Sequence, residues 1–309
     1  MNNYKGFTLV ELITVIVITG IIAMMVVNLI TKPMEGYRDM KRRAELVDIA
    51  ELTLHRMSRE IHHALPNSIQ LNSSGAVTTI AFLRTVAGGR YVSFGANAFD
   101  NSSPSNSFDI LQALSNTSSL GMKNTGVCGV TDSNNDGVDD VNDPADCLVV
   151  YNLGQSGADA YNGDNITRLN KICYTSPCPA GSCTSSCAPA CGNSFSPADC
   201  RILSYATINF PYDSPSDRFF IVDRAMAFIC NTATRELRMY KGYDFLSDPA
   251  PTGNYGVLLA NNIASCTFNY NPGTTTRPGL VTLQIAINDT RHSNETVHLL
   301  HQVFVENQP

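Results

Sequence analysis

Between Cys128 and Cys147 the chain reads CGVTDSNNDGVDDVNDPADC, a run dense in side-chain oxygens. Asp132, Asn134 and Asp136, followed by Gly137, keep the order Asp-x-Asn-x-Asp-Gly of a calcium-binding loop. Counted from Asp132, the backbone carbonyl of Val138 takes position seven, Asp140 position nine and Asp143 position twelve. Calcium takes six to eight oxygen ligands, and a loop of this composition supplies them. Two departures weigh against it: Asp139 at position eight, where an apolar residue is usual, and Asp in place of Glu at twelve. No flanking helix pair is evident, so the expected form is an isolated loop closed by a Cys128–Cys147 disulfide. A soluble acidic turn with no ion is the alternative.

The ten cysteines all fall between positions 128 and 266, in stretches rich in Ser, Pro and Gly. An even number crowded into loops reads as a disulfide framework, which persists in an oxidising compartment outside the cytoplasm. Cys230 and Cys266 lie on strands expected to be neighbours and are expected to bridge. Cys173, Cys178, Cys183, Cys187, Cys191 and Cys200 form a tight group whose pairing the sequence leaves open. Zinc is the rival for that group, but the usual Cys-x2-Cys spacing and a nearby His are both missing. No phosphate-binding glycine loop, nucleophile elbow or His-Glu-x-x-His run occurs, which argues against an enzyme. His298 and His301, three apart on an expected strand, face opposite sides and make a poor metal pair.

One more carboxylate stands out. Glu11 is the only acid in KGFTLVELITVIVITGIIAMMVVNLITK, and the twenty residues from Leu12 to Thr31 carry no charge. As a helix those twenty span about 30 Å, the hydrocarbon thickness of a bilayer. A secretory signal peptide is excluded by order: the small residue, Gly6, precedes the apolar run instead of following it. An acid inside a membrane segment costs roughly 2.5–3.5 kcal/mol at the helix centre and normally has a partner. Positions 7, 8, 14 and 15, which a helix brings beside Glu11, hold no Lys or Arg. The missing cation is supplied if the chain is cut after Gly6, because the new α-amino group of Phe7 on a neighbouring copy can then pair with Glu11.

Gly6-Phe7-Thr8-Leu9-Val10-Glu11-Leu12, after a six-residue leader, resembles the N-terminal motif of the type IV pilin family. The resemblance implies cleavage between Gly6 and Phe7 by a prepilin peptidase, N-methylation of Phe7, and a role for Glu11 in filament packing. It departs from many pilins in having Asn28 and no proline within the apolar half; the first proline is Pro33. A narrower resemblance, to the MshO-type minor pilins of the mannose-sensitive haemagglutinin (MSHA) pilus, rests on other stretches. These are REIHHALPNSIQL, FICNTATRELRMYKGY, LLANNIASCTFNYNPG and the C-terminal GLVTLQIAIN with TVHLLHQVFVENQP. J-type pseudopilins of type II secretion share the general layout and remain the alternative, as does an adhesin gripping a surface or glycan ligand.

These features need a scaffold. Leu46, Ala50, Thr53, Met57, Ile61 and Ala64 recur at helical steps, so the helix is expected to continue beyond Pro33 and stop near Leu65, before Pro66. Strand-like runs follow, with a hairpin expected at Gly88-Gly89 and clear alternation at Val281, Leu283, Ile285 and Ile287. RFFIV (218–222) and MAFIC (226–230) read as separate strands, and 97–126 as a surface loop with little to bury. The expected class is α+β: the type IV pilin fold, a long helix packed on an antiparallel sheet, with a disulfide-rich insertion. The expected division is leader 1–6, membrane and assembly helix 7–31, amphipathic helix 32–65, β-rich head 66–96 with 201–309, and insertion 97–200. From Pro66 onward acids outnumber bases, which argues against a nucleic-acid partner. Lys32, Arg38, Lys41, Arg42 and Arg43 after the helix would hold the head in the cytoplasm by the positive-inside rule, but the cysteines point outward. The expected location is therefore a single-pass inner-membrane precursor with a periplasmic head, and afterwards the pilus at the surface of a Gram-negative cell. Expected partners are major and minor pilins, the prepilin peptidase and the inner-membrane assembly platform; a structural calcium ion is the only cofactor expected.

Overall fold

A computed structural model of the chain describes residues 8–95, 98–111, 114, 146–174, 201–245, 251, 256–273, 277–289 and 295–305. One unbroken helix, α1 (Leu9–His62), the only α-helix among the described residues, runs for 54 residues and contains Pro33. At about 1.5 Å per residue it is roughly 80 Å long. Its two ends differ in environment. From Leu9 to Lys41 every described residue is exposed, whereas Ala50, Thr53, Leu54, Met57 and Ile61 are buried. The buried set follows the helical period read from the sequence, with Leu54 added and Leu46 packed against its edge.

The head holds twelve strands among the described residues, all paired antiparallel. β1 (Gln70–Ser74), β2 (Val77–Arg90), β3 (Ser105–Asp109), β4 (Cys147–Val150), β5 (Ile166–Tyr174), β6 (Arg201–Ile208), β7 (Arg218–Asn231), β8 (Glu236–Lys241) and β9 (Val257–Asn261) form one sheet. β10 (Ile263–Asn271), β11 (Gly279–Asn288) and β12 (Thr296–Val305) form a second. β7 is the spine of the larger sheet. One edge pairs with β2 throughout; the other pairs with β4 near its start and with β8 near its end. Asn262, at φ +58°, is the single residue between β9 and β10, where the chain leaves one sheet for the other.

The lower part of α1 is packed by both sheets. Its buried residues share one core with Ile80 and Phe82 of β2, Met226 and Phe228 of β7, and Val281, Leu283, Ile285 and Ile287 of β11. β12 runs beside the helix in the same direction. Arg43 Nε lies 3.6 Å from Glu295, His301 Nε2 lies 3.3 Å from Ser58 Oγ, and His62 Nδ1 lies 3.2 Å from the Phe304 carbonyl oxygen. Arg43 to His62 covers about 29 Å of helix and Glu295 to Phe304 about 30 Å of strand, so the two stay in register.

The helix ends at His62, short of the expected Leu65, because His63–Leu65 exchange helical bonds for sheet bonds. Leu65 N–H donates to Leu83 O at 2.7 Å and Thr85 N–H to His63 O at 2.8 Å. Here β2 and β7 carry a bulge. Asp223, in the bulge, accepts from both Arg84 and Arg224, and Arg84 also lies 3.6 Å from Glu60 of the helix. Burial works against the charge of Arg84, but its bonds to Asp223 and then Glu60 prevail and raise its pKa.

Three local expectations give way. Gly88 and Gly89 make no hairpin; β2 runs straight through them, opposite Phe220 and Phe219. A Cβ on Gly89 would lie 2.9 Å from the Phe219 ring, and one on Gly88 would lie 3.1 Å from Phe219 O. These glycines mark a close approach, and the turn falls earlier, at Gly75 (φ +58°). RFFIV and MAFIC are one strand, β7, whose intervening charges sit in the bulge. The stretch 97–126 is not devoid of core residues: it contributes β3, and Phe99, Phe108, Ile110 and Leu114 are buried. They join Tyr91, Tyr205, Phe210 and Phe219 in an aromatic core beyond the C-terminal end of the helix.

Candidate functional site: the exposed helix and its single acid

The N-terminal half of α1 is built for surroundings the isolated chain does not supply. Its most apolar window has a mean hydropathy of 2.7 and is long enough to cross a membrane, with none of it buried. Two side-chain hydroxyls in this half are satisfied by the helix's own backbone. Thr14 Oγ1 donates to the Val10 and Glu11 carbonyls at 3.0 Å, and Thr31 Oγ1 to the Val27 carbonyl at 2.9 Å. That is what a helix in a medium without water needs, since hydrocarbon offers no replacement partner. Gly20 has open space where a side chain would be, leaving a notch between Ile16, Val17 and Met24 into which another helix can settle closely.

Glu11 lies in the first turn. Thr8 is the N-cap, and its Oγ1 accepts the Glu11 N–H at 3.3 Å. Thr8-Leu9-Val10-Glu11 is thus the sequence of a capping box, a start signal that the reading of motifs passed over. Only half of the box is made: no bond from the Thr8 N–H to the Glu11 carboxylate is present. Among the described residues no cation lies within ion-pair distance of that carboxylate. It also lies near the positive end of the helix dipole, which favours an anion there.

The other candidates are distributed as follows. Gly6 and Phe7 lie outside the described residues, as do Cys128 and the calcium candidates Asp132, Asn134, Asp136, Val138, Asp140 and Asp143. Cys147 is described: it is buried at the start of β4 and disulfide-bonded. Cys173 falls on β5, and Cys178, Cys183, Cys187, Cys191 and Cys200 lie outside the described residues. Cys230 on β7 and Cys266 on β10 are joined by a disulfide. These strands belong to different sheets, not to neighbours in one sheet, so the bond staples the two layers around the helix. His298 is exposed while His301 is turned toward the helix, 5.5 Å from the His55 ring. Among the described residues no cluster of three His, Cys, Asp or Glu side chains is arranged to hold a metal.

Comparison with protein families places the segment around Glu11. Residues 1–27 carry the prokaryotic N-terminal methylation motif. This motif is typical of type IV pilin-family proteins. A long N-terminal helix packed against antiparallel sheet with a disulfide is consistent with a type-IV-pilin-like α+β fold. Motif and fold together are consistent with the type IV pilin and pseudopilin structural family. No curated protein and no solved structure matches the chain.

Proposed function

We propose that this chain is a minor pilin: an inner-membrane precursor with a periplasmic head, cut between Gly6 and Phe7, methylated on Phe7 and inserted into a type IV pilus. The observation that carries the reading is Glu11. It stands on an exposed apolar helix with no cation near it among the described residues. A neighbouring subunit's N-terminal amine on Phe7 is the partner that satisfies it, and packing of such helices covers the apolar surface that the chain alone leaves bare. The narrower assignment, to the initiation or tip complex of an MSHA-type pilus, is supported by the MshO-like stretches of sequence. The partners are other pilins, the peptidase and the assembly platform, and the role is structural, not catalytic.

Two experiments test this. N-terminal sequencing of the mature chain is expected to begin at methyl-Phe7; a start at Met1 removes the processing step. Glu11→Gln and Glu11→Leu are expected to abolish incorporation into filaments while leaving the precursor in the membrane. Incorporation at the wild-type level would leave a plain membrane tether. Because Glu11 is also the closing residue of the capping box, Glu11→Gln, which suits that position, separates charge pairing from helix initiation.

For the acidic loop we propose a structural calcium ion held by Asp132, Asn134, Asp136, the Val138 carbonyl, Asp140 and Asp143. The ordering of these residues supports it, as does the anchoring of the loop's end at the buried, disulfide-bonded Cys147. Calorimetry is expected to show saturable binding at or below millimolar calcium; a flat titration ends the proposal.

A further inference from the structure

The seam between α1 and β12 holds two imidazoles that assembly through Glu11 does not use. Along β12 the residues turned toward the helix are Val297, Leu299, His301, Val303 and Val305, an apolar row interrupted only by His301. Opposite His301 on β11 is Leu283, fully buried, so the ring stands at the margin of the core. On the helix, His55 comes four residues after Glu51 and three before Ser58, which puts all three on one face of α1.

The spacing at this crossing suits a shared ion. The His55 and His301 ring centres lie 5.5 Å apart, and His55 Nε2 lies 3.5 Å from Glu51 Oε1. Two imidazoles on one tetrahedral ion hold their ring centres roughly 5 Å apart, and a nitrogen and an oxygen on it lie about 3.3 Å apart. Helix and strand are tied on either side of the pair, by Arg43 with Glu295 and by His62 with the Phe304 carbonyl, so their backbones set its separation. The donors do not yet converge on one point: the rings meet edge-on at 63°, and His301 Nε2 faces Ser58 Oγ at 3.3 Å. The His55 side chain, 63% exposed, has room to turn into line. Its present partner is an exposed carboxylate one turn away, a pairing worth little and readily exchanged.

We propose that His55 and His301, joined by Glu51, form a clasp for a divalent transition-metal ion of the zinc class, which ties the helix to β12. Two imidazoles and a carboxylate, with a position left for water, suit zinc, copper and nickel, whereas magnesium prefers a shell of oxygens. Because the ligands come from two elements, the folded chain brings them together and the unfolded chain does not. Binding therefore raises stability.

The test uses the untagged full chain in detergent micelles. Sub-millimolar zinc chloride is expected to raise the melting temperature of the head by a few degrees, and magnesium chloride at the same concentration to leave it unchanged. His55→Gln and His301→Gln are each expected to abolish the rise, and Glu51→Gln to demand more zinc for the same rise. His298→Gln, on the outer face of the same strand, is expected to keep it. With one equivalent of copper(II) in place of zinc, electron spin-echo spectra are expected to show two imidazoles on the ion, and one fewer in either His variant. His301→Gln also removes the contact with Ser58, so the exposed His55→Gln decides the matter if the other variant does not fold. Absence of a rise in the wild type overturns the proposal. A rise that survives His55→Gln puts the ion elsewhere, and one lost in His55→Gln but kept in His301→Gln confines it to the helix; either result overturns the clasp. None of these outcomes bears on Glu11.

Discussion

Tyr91 shows how one side chain fixes the distal part of the head. Its hydroxyl accepts the Ser214 N–H at 2.7 Å and lies 3.3 Å from Ser214 O, while its ring stacks 4.4 Å from Phe99. Burial, opposed by the bond to Ser214, pushes its pKa up to about 12. An unfolded tyrosine releases its proton near 10, so the stability tied to this group is complete below pH 10. It drains away as the pH rises from 10 to 12, by up to about 2 kcal/mol. Tyr91→Phe is expected to cost about 1–3 kcal/mol at neutral pH, because Ser214 loses its buried partner. The variant is expected to lose less than wild type between pH 10 and 12, as read by urea unfolding at each pH. Little of this was legible in the sequence, where Tyr91 follows a Gly-Gly pair that looks like a turn. Glu11 was the opposite case: its isolation in an apolar run needed no structure to be seen, although its place in a capping box went unread.

At the scale of elements, periodicity was informative wherever one face of an element is buried. The helical seam from Leu46 to Ile61 and the alternation along β11 were visible for that reason. It failed at β7, where what joins the two halves is a bulge with charges inside it, and at β2, where Gly88 and Gly89 imitate a turn. Asp223 and Arg224 look like a solvent-facing break between strands until Arg84 is known to lie across from them. The cluster ties the helix end to the spine of the sheet through Glu60, so its loss should loosen the joint as a unit. Asp223→Asn is expected to destabilise the chain by about 2–3 kcal/mol, since Arg84 and Arg224 both lose a partly buried partner. Arg84→Met/Asp223→Leu, which removes a pair instead of breaking it, is expected to cost less than Asp223→Asn alone. Chemical denaturation of both variants checks this, and a double variant weaker than the single would mean that the pairing itself stabilises the joint.

For the whole molecule, the decisive property is that one continuous helix serves two environments, and the boundary between them can be located. Among the described residues, Leu9 to Lys41 are all exposed, Arg43 makes an ion pair with Glu295, just before β12, and Leu46 is the first residue packed against the core. A chain beginning at Lys41 therefore keeps every core contact, and its thermal unfolding is expected to stay within a few degrees of the full chain, in water without detergent. A chain beginning at Arg56 loses Leu46, Ala50, Thr53 and Leu54 from a core shared by both sheets. Deleting a single buried Leu side chain costs about 2–5 kcal/mol, a large fraction of the roughly 5–15 kcal/mol that holds a domain together. That shorter chain is expected to unfold or aggregate. Circular dichroism melts and sedimentation separate the outcomes. If both truncations destabilise the head equally, the exposed half of the helix contributes to the fold of the head. Its apolar surface would then have a use within the chain itself, although among the described residues none covers it.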